Sequence, residues 1–152
     1  MKKYLFLILV ISFISIQAQD SRIPVDTTVV TNSEVVINGQ KITYKATTGM
    51  QPVWDDHGEI IASLYYTYYK RTNIKTSPKR PIIMSFNGGP GSASVWMHIA
   101  YTGPKVLRID DEGYPIQPYG VKDNPNSILD VADIVYINPV NTGYSRPVVK
   151  KG

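Results

Sequence analysis

The sequence predicts an α/β fold in which antiparallel edge strands lead into a mixed sheet. Two β-branched runs flank Asn38-Gly39, a dipeptide typical of tight hairpins because both residues tolerate positive φ. Strand-like segments after the hairpin alternate with segments of helical spacing, which is typical of α/β sheets. The sequence reaches Gly152 soon after its last predicted strand. We therefore expect an incomplete domain, the N-terminal part of a larger sheet.

The first 18 residues have the pattern of a secretory signal peptide. Lys2 and Lys3 precede a short apolar run that ends near the small residue Ala18. The run is shorter than the roughly 20 apolar residues of a membrane-spanning helix, although an uncleaved anchor is an alternative. We expect export to the periplasm or the extracellular space, without stable membrane association after cleavage. An extended leader is predicted at 19–33 and the truncated domain at 34–152.

The strand after the hairpin is unusually aromatic. The segment "EIIASLYYTYYKRT" at 59–72 carries apolar or aromatic residues on both of its alternating faces. This pattern favours a strand that is covered on both sides or is central in its sheet. The tyrosines indicate strand packing more than a sugar-binding strip, because tyrosine is enriched in strands generally.

A helix and an extended segment are predicted next. Residues 92–100 have helical spacing, and Ser92 or Ser94 is the expected N-cap. Residues 103–116 are predicted to be extended, with a turn at 111–113 where "DEG" interrupts the pattern.

The last predicted elements are a short helical turn, a strand and a loop. "NPNSILDVA" indicates one helical turn, which Asn124 or Asn126 would cap. "DIVYINPV" is typical of a buried strand that ends at Pro139, and "NTGYSRP" of the loop after it.

Composition excludes several classes of function. The chain has 16 basic and 12 acidic residues, a formal net charge of +4. That surplus, and the lack of any long basic run, give no reason to expect nucleic acid as a partner. The chain has no cysteine and 2 histidines, so neither a thiolate nor a histidine metal site is expected. No metal or organic cofactor is predicted.

The segment "NGGPG" at 87–91 follows a predicted strand and precedes a predicted helix. It fits neither the dinucleotide fingerprint nor the phosphate-loop pattern. Unpaired N–H groups in such a glycine loop converge on a negative oxygen, helped by the start of a helix. The alternative is a tight turn without a ligand, which a shorter glycine pair would favour.

Two long segments resemble the serine carboxypeptidase family. "NGGPGSASVWMHIAYTGP" is similar to that family's glycine segment, and "NPNSILDVADIVYINPVNTGYSRP" to its later strand and loop. The aromatic strand also fits, so the resemblance covers roughly 61–147. It implies an α/β-hydrolase fold and a serine carboxypeptidase that releases C-terminal residues from peptides through an acyl-enzyme.

The resemblance implies roles for individual residues. Gly89 would supply an oxyanion-hole N–H, and Asn87 and Gly88 would hold the terminal carboxylate of the substrate. Tyr101 stands where eukaryotic-type members of the family have a carboxylate-binding Glu. Either the terminal carboxylate is bound differently here or the preference for a free C-terminus is looser, and we predict a substrate contact at Tyr101. The remaining residues of the two motifs are expected to shape the loops: Pro90, Gly91, Gly143 and Tyr144.

The sequence also departs from the family pattern. Asn138 and Asn141 stand where the family often has Asp and Gly, and Ser92 replaces a familiar Cys. No G-x-S-x-G nucleophile motif is present. Ser145, in "GYSRP", is therefore predicted to be structural. We expect the nucleophile, Asp and His beyond residue 152, and no activity from these 152 residues alone.

Neither histidine matches a catalytic position of the family. His57, in "DDHGE", is expected in a turn. His98 is expected to pack against the fold or to lie on the surface.

Two other functions remain open at this point. One is a different α/β-hydrolase, such as a proline iminopeptidase or an esterase, although the Asn before the glycines argues against it. The other is a non-catalytic, secreted, β-rich binding module built on the tyrosine strand.

Overall fold

The computed structural model describes residues 26–74 and 80–148. The predicted signal peptide and residues 19–25 of the predicted leader lie outside the described residues. Within the described ranges, no helix has the length and apolar character needed to cross a membrane.

The sheet begins with the predicted hairpin. Strand β1 (Thr28–Ile37) pairs antiparallel with β2 (Gln40–Trp54). At the turn, Asn38 has φ 49° and Gly39 has φ 76°, as a tight hairpin of this type requires, which confirms the prediction. Residues 28–33 of the predicted leader are extended but already pair with β2. The sheet therefore begins earlier than residue 34, since the Thr and Val side chains there favour a strand.

The aromatic strand β3 (Ile60–Arg71) is central, as predicted. It pairs antiparallel with β2, with β7 (Asp133–Ile137) and with the two-residue strand β8 (Arg146–Pro147). Strand β4 (Ile82–Ser85) pairs parallel with β7, which gives the order β1-β2-β3-β7-β4. The predicted mixed sheet is therefore present, and its described part carries little helix.

One face of the sheet carries the core. The buried members of the core come from β1, β2, β7 and the turn before β7, and they are Val35, Ile37, Ile42, Tyr44, Leu129, Ile134 and Tyr136. Tyr69 packs against this cluster from β3. The opposite face bears an open apolar groove of about 390 Å³, lined by Gln51, Leu64, Tyr66, Tyr68, Met84, Val135 and Ile137. The tyrosines of β3 therefore divide between the two faces, as strand alternation requires.

The predicted helix is present but differs in form. Residues 95 and 96 are helical, and Met97–Thr102 is a π-helical turn that ends where the Gly103 N–H donates to the His98 carbonyl at 3.0 Å. A Cβ at Gly103 would lie 2.1 Å from that oxygen, so glycine permits the turn. The predicted serine cap is wrong: no side chain caps this helix. Ser94 bonds instead to groups outside the helix.

The second predicted helical turn is a 3-10 turn, Ile128–Asp130. Its cap is Ser127, whose hydroxyl accepts a hydrogen bond from Leu129 N–H at 3.3 Å, so the prediction of an asparagine cap is wrong. Asn124 is occupied elsewhere, because its amide donates to the carbonyls of Tyr101 and Gly103, each at 2.7 Å.

The segment between the two helical turns is a small ribbon. Strands β5 (Lys105–Leu107) and β6 (Val121–Asp123) pair antiparallel. The predicted turn at 111–113 is confirmed: Gly113 has φ 91°, and its N–H donates to the Asp110 carbonyl at 3.1 Å.

A buried ion pair lies where β4 and β7 begin. Arg80 Nε lies 2.7 Å from Asp133 Oδ1, and their side chains are 13% and 6% exposed. The same carboxylate oxygen accepts the Arg71 N–H at 3.1 Å. The guanidinium of Arg80 also donates to the carbonyls of Leu129 and Asp130. These bonds fix the N-terminal ends of the two parallel strands.

Candidate active site

The candidate site lies where β4 and β7 end. Because the two strands are parallel neighbours, their C-terminal ends reach the same edge of the sheet. The segment after β4 is the glycine loop, Asn87–Gly91, and the segment after β7 is the Tyr144 loop, residues 139–145. The sheet order thus brings together the two motifs that carry the family resemblance.

The glycine loop takes a conformation that its glycines make possible. Gly89 has φ 79° and Gly91 has φ 87°, and a Cβ at either would point into open space. The Ser92 N–H donates to the Gly89 carbonyl at 3.2 Å and closes the turn. Gly88 and Gly89 are exposed, and no acceptor among the described residues takes a hydrogen bond from either N–H. These two donors are available to an anionic oxygen.

Asn87 braces the start of this loop. Its side-chain nitrogen donates to Ser92 Oγ at 2.8 Å and to the Gly88 carbonyl at 3.0 Å. Its backbone N–H donates to Ser94 Oγ at 3.1 Å. In this conformation the amide nitrogen serves the loop itself, and its contact with a substrate carboxylate stays a prediction.

Two buried serines join the loops to the end of β7. Ser94 is 2% exposed, and its hydroxyl donates to the Ile137 carbonyl while accepting the Asn87 N–H. Ser145 is 0% exposed, and its hydroxyl donates to the Asn138 carbonyl at 2.7 Å while accepting the Tyr65 N–H at 2.8 Å. Both hydroxyls are used by backbone groups, so Ser145 has the structural role predicted for it.

Asn138 connects the two loops directly. Its Oδ1 accepts the Ser94 N–H at 3.0 Å. Gly143, with φ 50°, lies against the same side chain, and a Cβ there would fall 2.2 Å from Asn138 Nδ2. The predicted loop-shaping role of Gly143 thus has two physical reasons, the positive φ and the close approach.

A cavity of about 270 Å³ lies between the helix and the Tyr144 loop. The rings of Tyr65 and Tyr144 form part of its wall, with their centroids 5.3 Å apart. Tyr101 does not line this cavity; it is 63% exposed on the last part of the helix. Its predicted contact with substrate therefore stays a prediction, separate from the cavity.

His98 belongs to a partly buried aromatic cluster. Its Nε2 shares a hydrogen bond with the Tyr69 hydroxyl at 2.6 Å, and its ring stacks on Tyr136 with centroids 4.6 Å apart. Burial lowers the pKa of His98 from 6.5 to about 4, raises the pKa of Tyr136 to about 12 and also raises that of Tyr69. The packing alternative for His98 is therefore correct. His57 lies in the predicted turn, where its N–H donates to Asp55 Oδ1 at 2.9 Å.

Sequence reasoning missed Ser94 and Asn138 as residues that fix the two loops, and it predicted a structural role for Ser145 without identifying its partners. A local signal was present, since each lies beside a motif, but a serine near a helix start was interpreted as a cap. The Ile137 carbonyl that occupies the Ser94 hydroxyl lies 43 residues away in sequence, and local patterns do not report such a distant partner. Within residues 26–74 and 80–148, no cluster of acidic or histidine side chains is arranged to bind a metal.

Comparison with known families agrees with this geometry. A family model described as serine carboxypeptidase matches residues 38–151. The match includes the hairpin, the aromatic strand, the glycine loop and the Tyr144 loop. The chain therefore belongs to the serine carboxypeptidase family.

Proposed function

We propose that this chain carries the oxyanion-binding half of a serine carboxypeptidase site on an α/β-hydrolase fold. The observation that carries the proposal is the pair of exposed N–H groups of Gly88 and Gly89 just after β4, for which the described part of the chain offers no hydrogen-bond acceptor. In α/β-hydrolases, one oxyanion donor comes from the loop after the third strand of the sheet. The glycine loop here follows β4, the strand that pairs parallel with β7.

The proposed reaction is acyl transfer from a peptide to a serine and then to water. The serine attacks the carbonyl of the last peptide bond, and the Gly89 N–H holds the negative oxygen that forms. A second N–H would follow the nucleophile. The C-terminal amino acid leaves, and water then releases the acyl group. No metal or organic cofactor takes part in this chemistry.

The nucleophile, with its Asp and His, is proposed to lie outside residues 1–152. The sequence has no G-x-S-x-G motif, and the hydroxyls of Ser94 and Ser145 are buried and committed to backbone groups. DNA beyond the codon for Gly152 should continue the reading frame into such a motif. Hydrolysis of a blocked dipeptide by the pure 152-residue chain, abolished by a serine-directed inhibitor, would contradict this placement.

The proposed substrate is a peptide with a free C-terminal carboxylate. Asn87 and Gly88 at the glycine loop, and Tyr101 nearby in sequence, are the proposed contacts for that carboxylate. Export through residues 1–18 would place the reaction in the periplasm or outside the cell. On the full-length protein, an N-blocked dipeptide should be cleaved and its C-terminal amide should not. Preference for a free N-terminus would indicate an iminopeptidase instead.

Gly89 is tested with a matched pair of glycine variants. Gly89→Ala and Gly113→Ala both place an alanine at positive φ with open space around its Cβ. Each should lose about 1 kcal/mol of stability, but only Gly89→Ala turns the proposed donor away. We expect kcat to fall roughly 100-fold for Gly89→Ala, since one oxyanion donor is worth about 10²–10³, and to stay within about twofold of wild type for Gly113→Ala. Equal losses in the two variants would refute the role of Gly89.

A further inference from the structure

We propose that Ser94 is the positioning residue of the oxyanion loop, holding the Gly89 N–H in place through Asn87. This inference rests on the proposed function. The Ser94 hydroxyl donates to the Ile137 carbonyl and accepts the Asn87 N–H at 3.1 Å. The residue that opens the glycine loop is thereby tied to the last residue of β7.

The attachment has a second bond from the backbone of the same residue. The Ser94 N–H donates to Asn138 Oδ1 at 3.0 Å, so Ser94 contacts two successive residues at the end of β7. Ser94 is 2% exposed, and buried bonds of this kind are not exchanged for water. The loop between Asn87 and Ser94 is therefore anchored at both ends by one residue.

The exposed middle of the loop needs such an anchor. Gly88, Gly89 and Gly91 have no side chains to pack, and a Cβ at any of them would meet open space. Glycine also has the greatest backbone freedom of any residue. Without the anchor, the Gly89 N–H has little to keep it aimed at the reacting oxygen, and a displacement of about 1 Å costs about 10²-fold in rate.

Ser145 provides a matched control. Like Ser94, it donates its hydroxyl to a backbone carbonyl, that of Asn138, and accepts a backbone N–H, that of Tyr65. The two serines are also similarly buried. Ser145 fixes the Tyr144 loop and not the glycine loop. Ser94→Ala and Ser145→Ala thus remove equivalent hydroxyls, whose carbonyl partners are the successive residues Ile137 and Asn138. The two variants differ in which loop they release.

The test compares both variants in the full-length protein with an N-blocked dipeptide. For Ser94→Ala we expect kcat to fall at least roughly 10-fold, because the oxyanion exists only in the transition state; KM should rise as well, because Asn87 is also a proposed contact for the substrate carboxylate. For Ser145→Ala, which releases the Tyr144 loop and not the glycine loop, we expect a clearly smaller fall in kcat than for Ser94→Ala. Hydrogen exchange of the segment containing Asn87 should accelerate in Ser94→Ala alone. Urea unfolding of both variants measures how much of the free energy of unfolding each one loses.

The outcomes separate this inference from the proposed function. A fall in kcat for Gly89→Ala, with equal kinetics for Ser94→Ala and Ser145→Ala, keeps the function and overturns the positioning role. A Ser94→Ala effect confined to KM also overturns it. Wild-type protein without inhibitor-sensitive hydrolysis overturns both. If Ser94→Ala does not fold, Asn138→Ala removes the bond to the Ser94 N–H and should lower kcat; unchanged kcat in that variant refutes the anchor.

Discussion

His98 should make the stability of this protein depend on pH in the mildly acidic range. Its imidazole shares a hydrogen bond with Tyr69 and stacks on Tyr136, and burial lowers its pKa from 6.5 to about 4. Between these two values the unfolded chain binds a proton that the folded chain does not. The free energy of unfolding should therefore fall as the pH drops from 6.5 toward 4.

The size of this effect follows from the two pKa values. Each tenfold difference in proton affinity is worth about 1.4 kcal/mol, so the interval from 6.5 to about 4 corresponds to about 3 kcal/mol. Burial raises the pKa of both tyrosine neighbours, which keeps their titration outside this interval. His98 is thus the group in the cluster that changes its charge there.

The measurement is urea unfolding at pH 7.5 and pH 4.5 of wild type, His98→Gln and His57→Gln. Carboxylates contribute to the pH dependence of all three proteins, so the difference between proteins isolates one histidine. His98→Gln should lose up to about 3 kcal/mol less than wild type over this range. His57→Gln retains His98 and should follow wild type. An unchanged pH dependence in His98→Gln would refute the assignment.

Three further predictions concern stability and are checked by urea unfolding. Gly143→Ala should cost about 1 kcal/mol more than Gly113→Ala, because its Cβ displaces Asn138 and one hydrogen bond is worth about that much; equal losses would contradict it. Asp133→Ala should cost about 3–5 kcal/mol, since it leaves a buried guanidinium unpaired, and a loss below about 1 kcal/mol would contradict that. Ser127→Ala should cost about 1–2 kcal/mol, because it removes both the cap and the hydrogen bond that this hydroxyl donates to the Thr102 carbonyl; no loss would contradict both roles.

Local chemistry was enough to predict the hairpin turn and the longer strands of the sheet. The tight turn requires positive φ at both central positions, which Asn38 and Gly39 tolerate. The pattern of β-branched residues around the turn then favours one hairpin register. Gly113 and Pro139 likewise mark chain reversals that depend on a few neighbouring residues. The composition of β3 predicted a central strand because both of its faces are apolar or aromatic.

The caps were mispredicted because distant groups compete for the same side chains. Ser94 is well placed in sequence to cap the helix, but the Ile137 carbonyl and the Asn87 N–H take its hydroxyl. Asn124 is likewise drawn away by the carbonyls of Tyr101 and Gly103. A buried polar group left unpaired costs about 1–3 kcal/mol, more than a cap contributes. The Ser94 and Asn124 side chains therefore bond to these carbonyls and do not cap the helical turns.

The position of the candidate site depends on the sheet order, which no local pattern contains. β7 lies between β3 and β4, although about 45 residues separate β4 from β7 in sequence. Had β7 joined β4 in the antiparallel sense, their C-terminal ends would lie at opposite edges of the sheet. The glycine loop and the Tyr144 loop would then be separated by the length of a strand. Their contact through Ser94 and Asn138 is thus a consequence of one parallel pairing, fixed at its other end by Arg80 and Asp133.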